Sequence, residues 1–242
     1  MIKVILNGAC GRMGKEVEAL VAATDDVKIC ARVDKFGDGC FPSVSEYTGE
    51  ADVIIDFSHH SAVTELLEYA VRRKIPVIVA TTGHTEDEKA LIQKAAESTA
   101  VFHSANMSLG VALLAELAKK AALAMPDADI EIVETHHNRK LDSPSGTALM
   151  LAEELTETRE NADFAIGRSG QCKREKNEIG IQSVRRGNIA GIHEVLISTD
   201  SQTITLKHEA HSRALFAEGA VSAARFMAGK KPGLYNMKSM IE

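Results

Sequence analysis

No apolar run in this chain of 242 residues reaches the length a bilayer requires, so a membrane-spanning segment is excluded from the reading. An excess of positive charge is also missing. Lys and Arg total 28 against 34 Asp and Glu, and the net charge of −6 argues against nucleic acid as the main partner. It leaves a small anionic ligand open, because local charge governs such a site. Cysteine is scarce: Cys10, Cys30, Cys40 and Cys172 form no C-x-x-C pair and no zinc-like spacing. They are expected to be reduced thiols of a cytoplasmic protein, Cys10 being a small residue that fits its turn rather than a reactive one. No repeat and no low-complexity tract is visible. Lys3 interrupts the short apolar start and no small-residue cleavage site follows, so no signal peptide is expected. What remains is an ordinary soluble composition, 45% hydrophobic and 26% charged, long enough for one large domain or two modest ones.

The first hundred residues alternate between two periods. Ile2 to Leu6 reads as a buried strand, Asn7 to Gly14 as a glycine-rich turn, and Val17, Leu20 and Val21 recur at helical spacing. Strand, glycine turn and helix make the first half of a dinucleotide-binding unit. Gly8 permits the turn, Gly11 lets backbone approach a pyrophosphate, and Gly14 lets helix and strand pack closely. The spacing G-x-x-G-x-x-G is not the commoner G-x-G-x-x-G. The next strand, Val27 to Val33, ends in Asp34-Lys35, at the distance where an acid binds the adenosine ribose hydroxyls. Lys35, joined by Arg12, suits the 2′-phosphate of NADPH instead, so use of both NADH and NADPH is expected, with the preference open. Gly8, Ala9, Cys10, Gly11, Arg12, Met13, Asp34 and Lys35 are thus candidate cofactor ligands.

Further strands are expected at Val53 to Asp56, Pro76 to Ala80 and Val101 to His103, with one helical turn at Ser43 to Tyr47. Ser61 is expected to cap a helix to Lys74, and Thr85-x-x-Glu88 is a capping box opening a helix to about Ser98. This alternation predicts a doubly wound parallel sheet, whose ligands lie beyond the carboxyl ends of the strands. The turns Ala80, Thr81, Thr82 and Ser104, Ala105, Asn106, Met107 fall at that edge and are candidates to line the nicotinamide.

From Ser108, which caps a helix out of the nucleotide domain, the pattern changes. Residues 129–136, 179–184, 191–199 and 202–210 read as strands, with one helix near Thr147 to Glu157, a turn at Gly187 to Gly191 and a tight hairpin at Asp200-Ser201. A mobile loop is expected between Glu160 and Glu178. Ser212 is expected to cap a last helix, Arg213 to Met227, which returns with the tail to the first domain. The fold class is therefore α/β: a Rossmann-like doubly wound parallel sheet plus an α+β domain with a mixed four-stranded sheet. The expected domains are 1–107 joined by 213–242, and 108–212.

Within the second domain, a strand end, a cationic loop and a helix start follow one another between Glu131 and Thr147. Each of the three favours an anion. His136 and His137, being neighbours, point in different directions and are not expected to share a metal; no metal ligation is expected anywhere in the chain. Two histidines beside Arg139 and Lys140, followed by Pro144-Ser145-Gly146-Thr147, mark an anion site with proton-transfer groups, the substrate site of a nicotinamide-dependent reductase.

The pattern Glu131-Ile-Val-Glu134-Thr-His136-x-x-x-Lys140-x-Asp142-x-Pro144-Ser145-Gly146-Thr147-Ala148 resembles the signature of the 4-hydroxy-tetrahydrodipicolinate (dihydrodipicolinate) reductase family. Gly8 to Gly14, Ile55-Asp56-Phe57-Ser58, Thr81-Thr82-Gly83, Ala105-Asn106, Ser183-Val184-Arg185 and Gly233 to Met237 resemble the same family, so the likeness spans nearly the whole chain. It implies reduction of (2S,4S)-4-hydroxy-2,3,4,5-tetrahydrodipicolinate, a small dicarboxylic heterocycle, to tetrahydrodipicolinate in lysine and diaminopimelate biosynthesis. It implies that His136 and Lys140 handle protons, that His137, Gly146 and Thr147 bind substrate, and that the second domain assembles a homotetramer. Asp34-Lys35 stands where the family often has Glu-Arg, and the following loop is short. A shorter carboxylate and a single-point cation alter the reach on the adenine side.

The residue chemistry is compatible with those roles. Hydride addition builds negative charge on a conjugated ring. Histidine donates a proton near neutral pH, lysine steadies the charge and attracts carboxylates, and the N–H groups at Gly146-Thr147 grip one of them. Arg213 is a further carboxylate candidate. Glu134 and Asp142 are expected to fix or neutralise the loop. Two alternatives stay open: another two-domain dehydrogenase of the homoserine or aspartate type, and a nucleotide sensor without turnover.

Overall fold

The computed structural model describes residues 1–241, and the chain divides into two compact units, 1–108 with 214–241, and 109–213. In the first, β1 (Ile2–Asn7) leads through the glycine turn into α1 (Arg12–Ala22), followed by β2 (Val27–Val33) and β3 (Val53–Asp56). Then come α2 (Val63–Arg73), β4 (Val77–Val79), α3 (Glu86–Ala96) and β5 (Ala100–His103). The second unit holds α4 (Leu109–Ala124), β6 (Asp129–His136), α5 (Gly146–Thr156), β7 (Asp163–Ile166), β8 (Glu178–Arg185), β9 (Gly191–Ser198) and β10 (Thr203–Ala210). The chain then returns to the first unit with α6 (Ala214–Met227) and β11 (Gly233–Tyr235).

The first sheet is parallel in the order β11-β5-β4-β3-β1-β2. β3 and β4 are buried throughout, as the continuous apolar runs of a sheet covered on both faces require. Six strands are present where five are expected. Gly233-Leu-Tyr235 contains a glycine and follows Pro232, a stop signal locally, and it becomes a strand only because β5 offers an unpaired edge. Ser61 does not cap α2. A short 3-10 turn over His60–Ala62 precedes it, His59 caps that turn through its ring, and α2 starts at Val63 without a side-chain cap. The capping box at Thr85 and Glu88 forms as expected and opens α3.

The second sheet is mixed, in the order β10-β9-β6-β8-β7. It has five strands rather than four. Asp163-Phe-Ala-Ile166, inside the stretch expected as a mobile loop, pairs in parallel with β8, so part of that stretch is held by a ladder that only tertiary contact supplies. Asp200-Ser201 turns the β9–β10 hairpin, closed by Thr199 N–H donating to the Gln202 carbonyl at 2.8 Å. Ile130, Ile132, Ile179, Ile181, Val195 and Ile197 are fully buried against Leu114, Ala118, Leu151 and Leu155 of α4 and α5. Each such side chain contributes about 1.5–3 kcal/mol relative to exposure.

Candidate active site

Strand period places the polar end of β6. Side chains two apart share a face, so Ile130, Ile132, Glu134 and His136 all point to the side that packs on the helices. Cross-strand register puts Ser183 and Arg185 of β8 and His193 of β9 on the same side. The apolar half of this face is core, and the polar half is the site.

Glu134 lies at its centre with no exposed surface. His136 Nδ1–H donates to Glu134 Oε2 at 2.6 Å. Arg185 grips both carboxylate oxygens at 2.8 Å each and also donates to the Asp142 carbonyl at 2.7 Å. Ser145 N–H also donates to Oε1, at 3.1 Å. Burial pushes the Glu134 carboxyl up, but hydrogen bonds from His136 and Arg185 outweigh it and hold the group well below the usual carboxylate range. An ionised Glu134 can only accept, so His136 Nδ1 carries a proton and Nε2 is presented. Nε2 lies beside Gly191, where a Cβ would stand 3.1 Å away.

The N-terminus of α5 arrives at the same place. Ser145, after a cis Ser143–Pro144 bond, caps the helix by accepting from Ala148 N–H at 3.2 Å and pairs with His193 Nε2 at 3.1 Å. Burial first, then the charge of His136, lowers His193 to about 4, so it stays neutral. No acidic residue occupies the first turn, and an added Cβ at Gly146 would meet nothing within 4 Å. Gly146 and Thr147 therefore open a helix end suited to an anion.

The loop after β6 is laced to the loop after β8. His137 N–H donates to the Ile189 carbonyl at 2.8 Å, Asn138 N–H to Gly187 at 3.2 Å, and Arg139 donates to Asn188 Oδ1 at 2.5 Å. Lys140 Nζ meets Asp142 Oδ2 at 2.8 Å. Desolvation, followed by the charges of Arg139, Arg213, His136 and Lys140, lowers His137. Its buried Nδ1 has no hydrogen-bond partner. The structure thus brings His136, His137, Lys140 and Arg213 within electrostatic reach of one another. Arg185 and His193 carry weight here that the sequence reading did not give them. Their signal was a charged or imidazole side chain at the core-facing parity of an apolar strand.

In the first unit the candidate cofactor residues gather at the carboxyl edge of the sheet. Gly8 sits at φ +80°, and a Cβ there would lie 2.5 Å from the Phe57 carbonyl oxygen. A Cβ at Gly14 would meet the Gly8 carbonyl oxygen at 2.3 Å, which is the close helix–strand approach. Gly11 caps α1 with no side-chain bond, no acid stands in the first turn, and Arg12 and Met13 head the helix. Asp34 is tied to the turn itself, with Cys10 N–H donating to Oδ2 at 2.9 Å and Phe36 N–H to Oδ1 at 3.2 Å. Each oxygen keeps a second lone pair for a ligand hydroxyl. Gly8, Gly11, Asp34, Lys35, Phe36 and Ser43 line a cleft of about 660 Å³. Phe36, 89% exposed on its lip with Lys35 Nζ 5.7 Å from the ring centroid, is a flat surface for a base that the sequence reading passed over.

The other two turns behave differently from each other. Ala80 and Thr81 are buried, and the Thr81 hydroxyl donates to Asp56 Oδ2 at 2.7 Å, while Thr82 is exposed. Asp56 also takes Asn7 Nδ2 at 2.8 Å and the Ser58 hydroxyl at 2.6 Å, joining the ends of β1, β3 and β4. Ser104 donates to the Asn106 carbonyl at 2.8 Å, and Met107 is buried under α6, where a Cβ at Gly219 would stand 1.7 Å from the Met107 carbonyl oxygen. Ala105 is exposed between them. Among the described residues no group of His, Cys, Asp and Glu has the arrangement of a metal site, and no helix is long and apolar enough to cross a membrane.

The N-terminal model of dihydrodipicolinate reductase matches residues 2–107 and the C-terminal model matches residues 110–241. The 4-hydroxy-tetrahydrodipicolinate reductase of Caldanaerobacter subterraneus subsp. tengcongensis is 43% identical over 251 residues, covering 100% of this chain and 99% of the relative. That of Clostridium novyi is 43% identical over 249 residues with the same coverage. A dipicolinate-bound dihydrodipicolinate reductase from Paenisporosarcina sp. TG-14 superposes with a TM-score of 0.81 at 24% identity, over 100% of both chains, a likeness of fold. Sequence match over both units and a shared fold together establish that this chain belongs to the dihydrodipicolinate reductase family.

Proposed function

We propose that the chain reduces (2S,4S)-4-hydroxy-2,3,4,5-tetrahydrodipicolinate to tetrahydrodipicolinate, taking hydride from NADH or NADPH, as a step of lysine and diaminopimelate biosynthesis. The observation that carries this reading is the buried Glu134–His136 pair held by Arg185 beside the open N-terminus of α5. The first unit suits a dinucleotide. The turn from Gly8 to Met13 has the glycine cradle that a Cβ would fill, and Asp34 and Lys35 line the adjoining cleft. Bound nicotinamide supplies the hydride, and Ala80 to Thr82 and Ser104 to Met107 are its proposed lining.

The second unit handles the substrate. Gly146 and Thr147 bind one ring carboxylate through the helix end, and His137, with its unpartnered buried Nδ1, contacts the same ligand. Arg139, Lys140 and Arg213 surround His137 with positive charge, which suits a dianion. His136 carries the transferred proton at Nε2, because Glu134 holds Nδ1. Lys140 stabilises charge developing on the ring. Asp34 favours a free ribose hydroxyl and Lys35 a phosphate, so both nucleotides serve. The sheet of the second unit assembles a homotetramer.

The test is a steady-state assay on enzymatically generated substrate with NADH and NADPH in parallel. His136→Gln and Lys140→Met should each lower kcat by roughly 10²–10⁴-fold, while NADH titration of the free enzyme stays unchanged. Turnover surviving both substitutions would remove the assigned roles.

A further inference from the structure

Cys10 and Cys40 lie thirty positions apart in sequence, yet their sulfurs are 3.5 Å apart. Cys10 is in the middle of the glycine turn, its N–H held by Asp34. Cys40 is brought back by an excursion closed at its base, where Asp34 N–H donates to the Phe41 carbonyl at 2.9 Å and Phe41 N–H to the Arg32 carbonyl at 2.8 Å. Gly37 makes room for the pair. A Cβ there would stand 2.2 Å from the Cys10 sulfur and 3.0 Å from that of Cys40. Both thiols are partly exposed. Cys30, by contrast, donates its thiol to the Val4 carbonyl at 3.3 Å, and exposed Cys172 belongs to the other unit. Burial, and then the hydrogen bond with Cys10, push the Cys40 thiol up, with Arg32 opposing, which suits Cys40 to the slower, resolving role.

We propose that Cys10 and Cys40 are a reversible oxidation site, closing to a disulfide when the protein meets a hydroperoxide, and that closure weakens nucleotide binding. The first sulfur, as thiolate, attacks the peroxide oxygen, cleaving the O–O bond to give a sulfenic acid and releasing an alcohol, or water when the oxidant is hydrogen peroxide. The second thiol attacks that sulfur, the S–S bond forms, and its proton leaves with the hydroxyl as water. Two thiols are oxidised and one hydroperoxide is reduced. An S–S bond is about 2.05 Å long, so the two sulfurs must approach by roughly 1.5 Å, drawing on both the side chains and the loops that carry them. One of those loops is the proposed pyrophosphate cradle and the other carries Asp34 and Lys35. The effect on binding rests on that reading of the first unit; the disulfide does not.

The experiment treats the full chain, carrying Cys172→Ser to remove the other exposed thiol, with hydrogen peroxide, followed by iodoacetamide, intact mass and peptide mapping. NADH is titrated before and after. The expected result is a loss of two hydrogens per chain, a Cys10–Cys40 linked peptide and a roughly tenfold weaker NADH Kd, all reversed by dithiothreitol. Cys40→Ser, combined with Cys172→Ser, should bind NADH as the reduced protein does and lose the sensitivity. Separate alkylation of Cys10 and Cys40 after oxidation, or a link to Cys30, overturns the site. A linked peptide with unchanged NADH affinity overturns the effect on binding. If reduced protein fails to bind NADH, the nucleotide reading falls with that effect, and the mapped peptide alone still decides the disulfide.

Discussion

Glu134 is a buried carboxylate held by donors from His136, Arg185 and Ser145, and His193 is a buried imidazole paired with the Ser145 hydroxyl. Their linkage to pH has the same sign. His193 is neutral in the fold at a value of about 4 against 6.5 when free, so the unfolded chain binds more protons between those values. Its contribution is complete above 6.5 and is lost as pH falls towards 4. Glu134 is likewise lowered, so its contribution is complete above 4.5 and is lost below, as pH falls towards the folded value. Urea unfolding should therefore show stability declining in two stages on acidification. His193→Gln, which keeps a partner for Ser145, should shrink the upper stage, to which the lowered His103, His137 and His208 also contribute, and leave the lower one. An unchanged upper stage in that variant would remove His193 from the account. Strand parity puts Glu134 and His136 on one face with the isoleucines of β6. Arg185 and His193 come from strands distant in sequence, and only the register β8-β6-β9 makes them neighbours.

Among the elements, the turn joining β1 to α1 packs its backbone closely against the first turn of the helix. Gly14 packs the first turn of the helix onto the Gly8 and Ala9 carbonyls, at 2.3 and 2.5 Å from where a Cβ would be. These are backbone atoms that cannot swing aside. Gly14→Ala should cost about 1–3 kcal/mol of stability and weaken NADH binding, with kcat at saturating nucleotide far less affected. Thermal melts and nucleotide titration together check this, and a variant of wild-type stability and affinity would contradict the close approach. The turn, the capping box of α3 and the β9–β10 hairpin were legible because local chemistry dictates them. β7 and β11 were not, being short segments with glycine or proline beside them. They become strands because β8 and β5 present unpaired donors and acceptors.

At the scale of the whole molecule, the sheet of the second unit has one face packed on helices and, among the described residues, one face without them. Its helix-facing residues are buried, while Val133 and Leu196, at the alternate parity, stay partly exposed and Val184 is 39% exposed. In the proposed homotetramer this face is covered by other copies. Leu196→Glu places a charge there and should shift the sedimentation mass from four chains of 26.1 kDa towards smaller species. A tetramer that persists would place the interface elsewhere.

The sequence alone determined the alternation of strands and helices, the glycine cradle, the acid–lysine pair after β2 and the cationic loop before α5, because each is written in neighbouring residues and their period. Tertiary structure decided which carboxylate holds which imidazole and which thiol meets which thiol. It also decided which short segments complete the sheets. Those outcomes depend on pairing between segments tens of residues apart, and the hydrogen bonds and packing that select one pairing do not exist until the chain has folded.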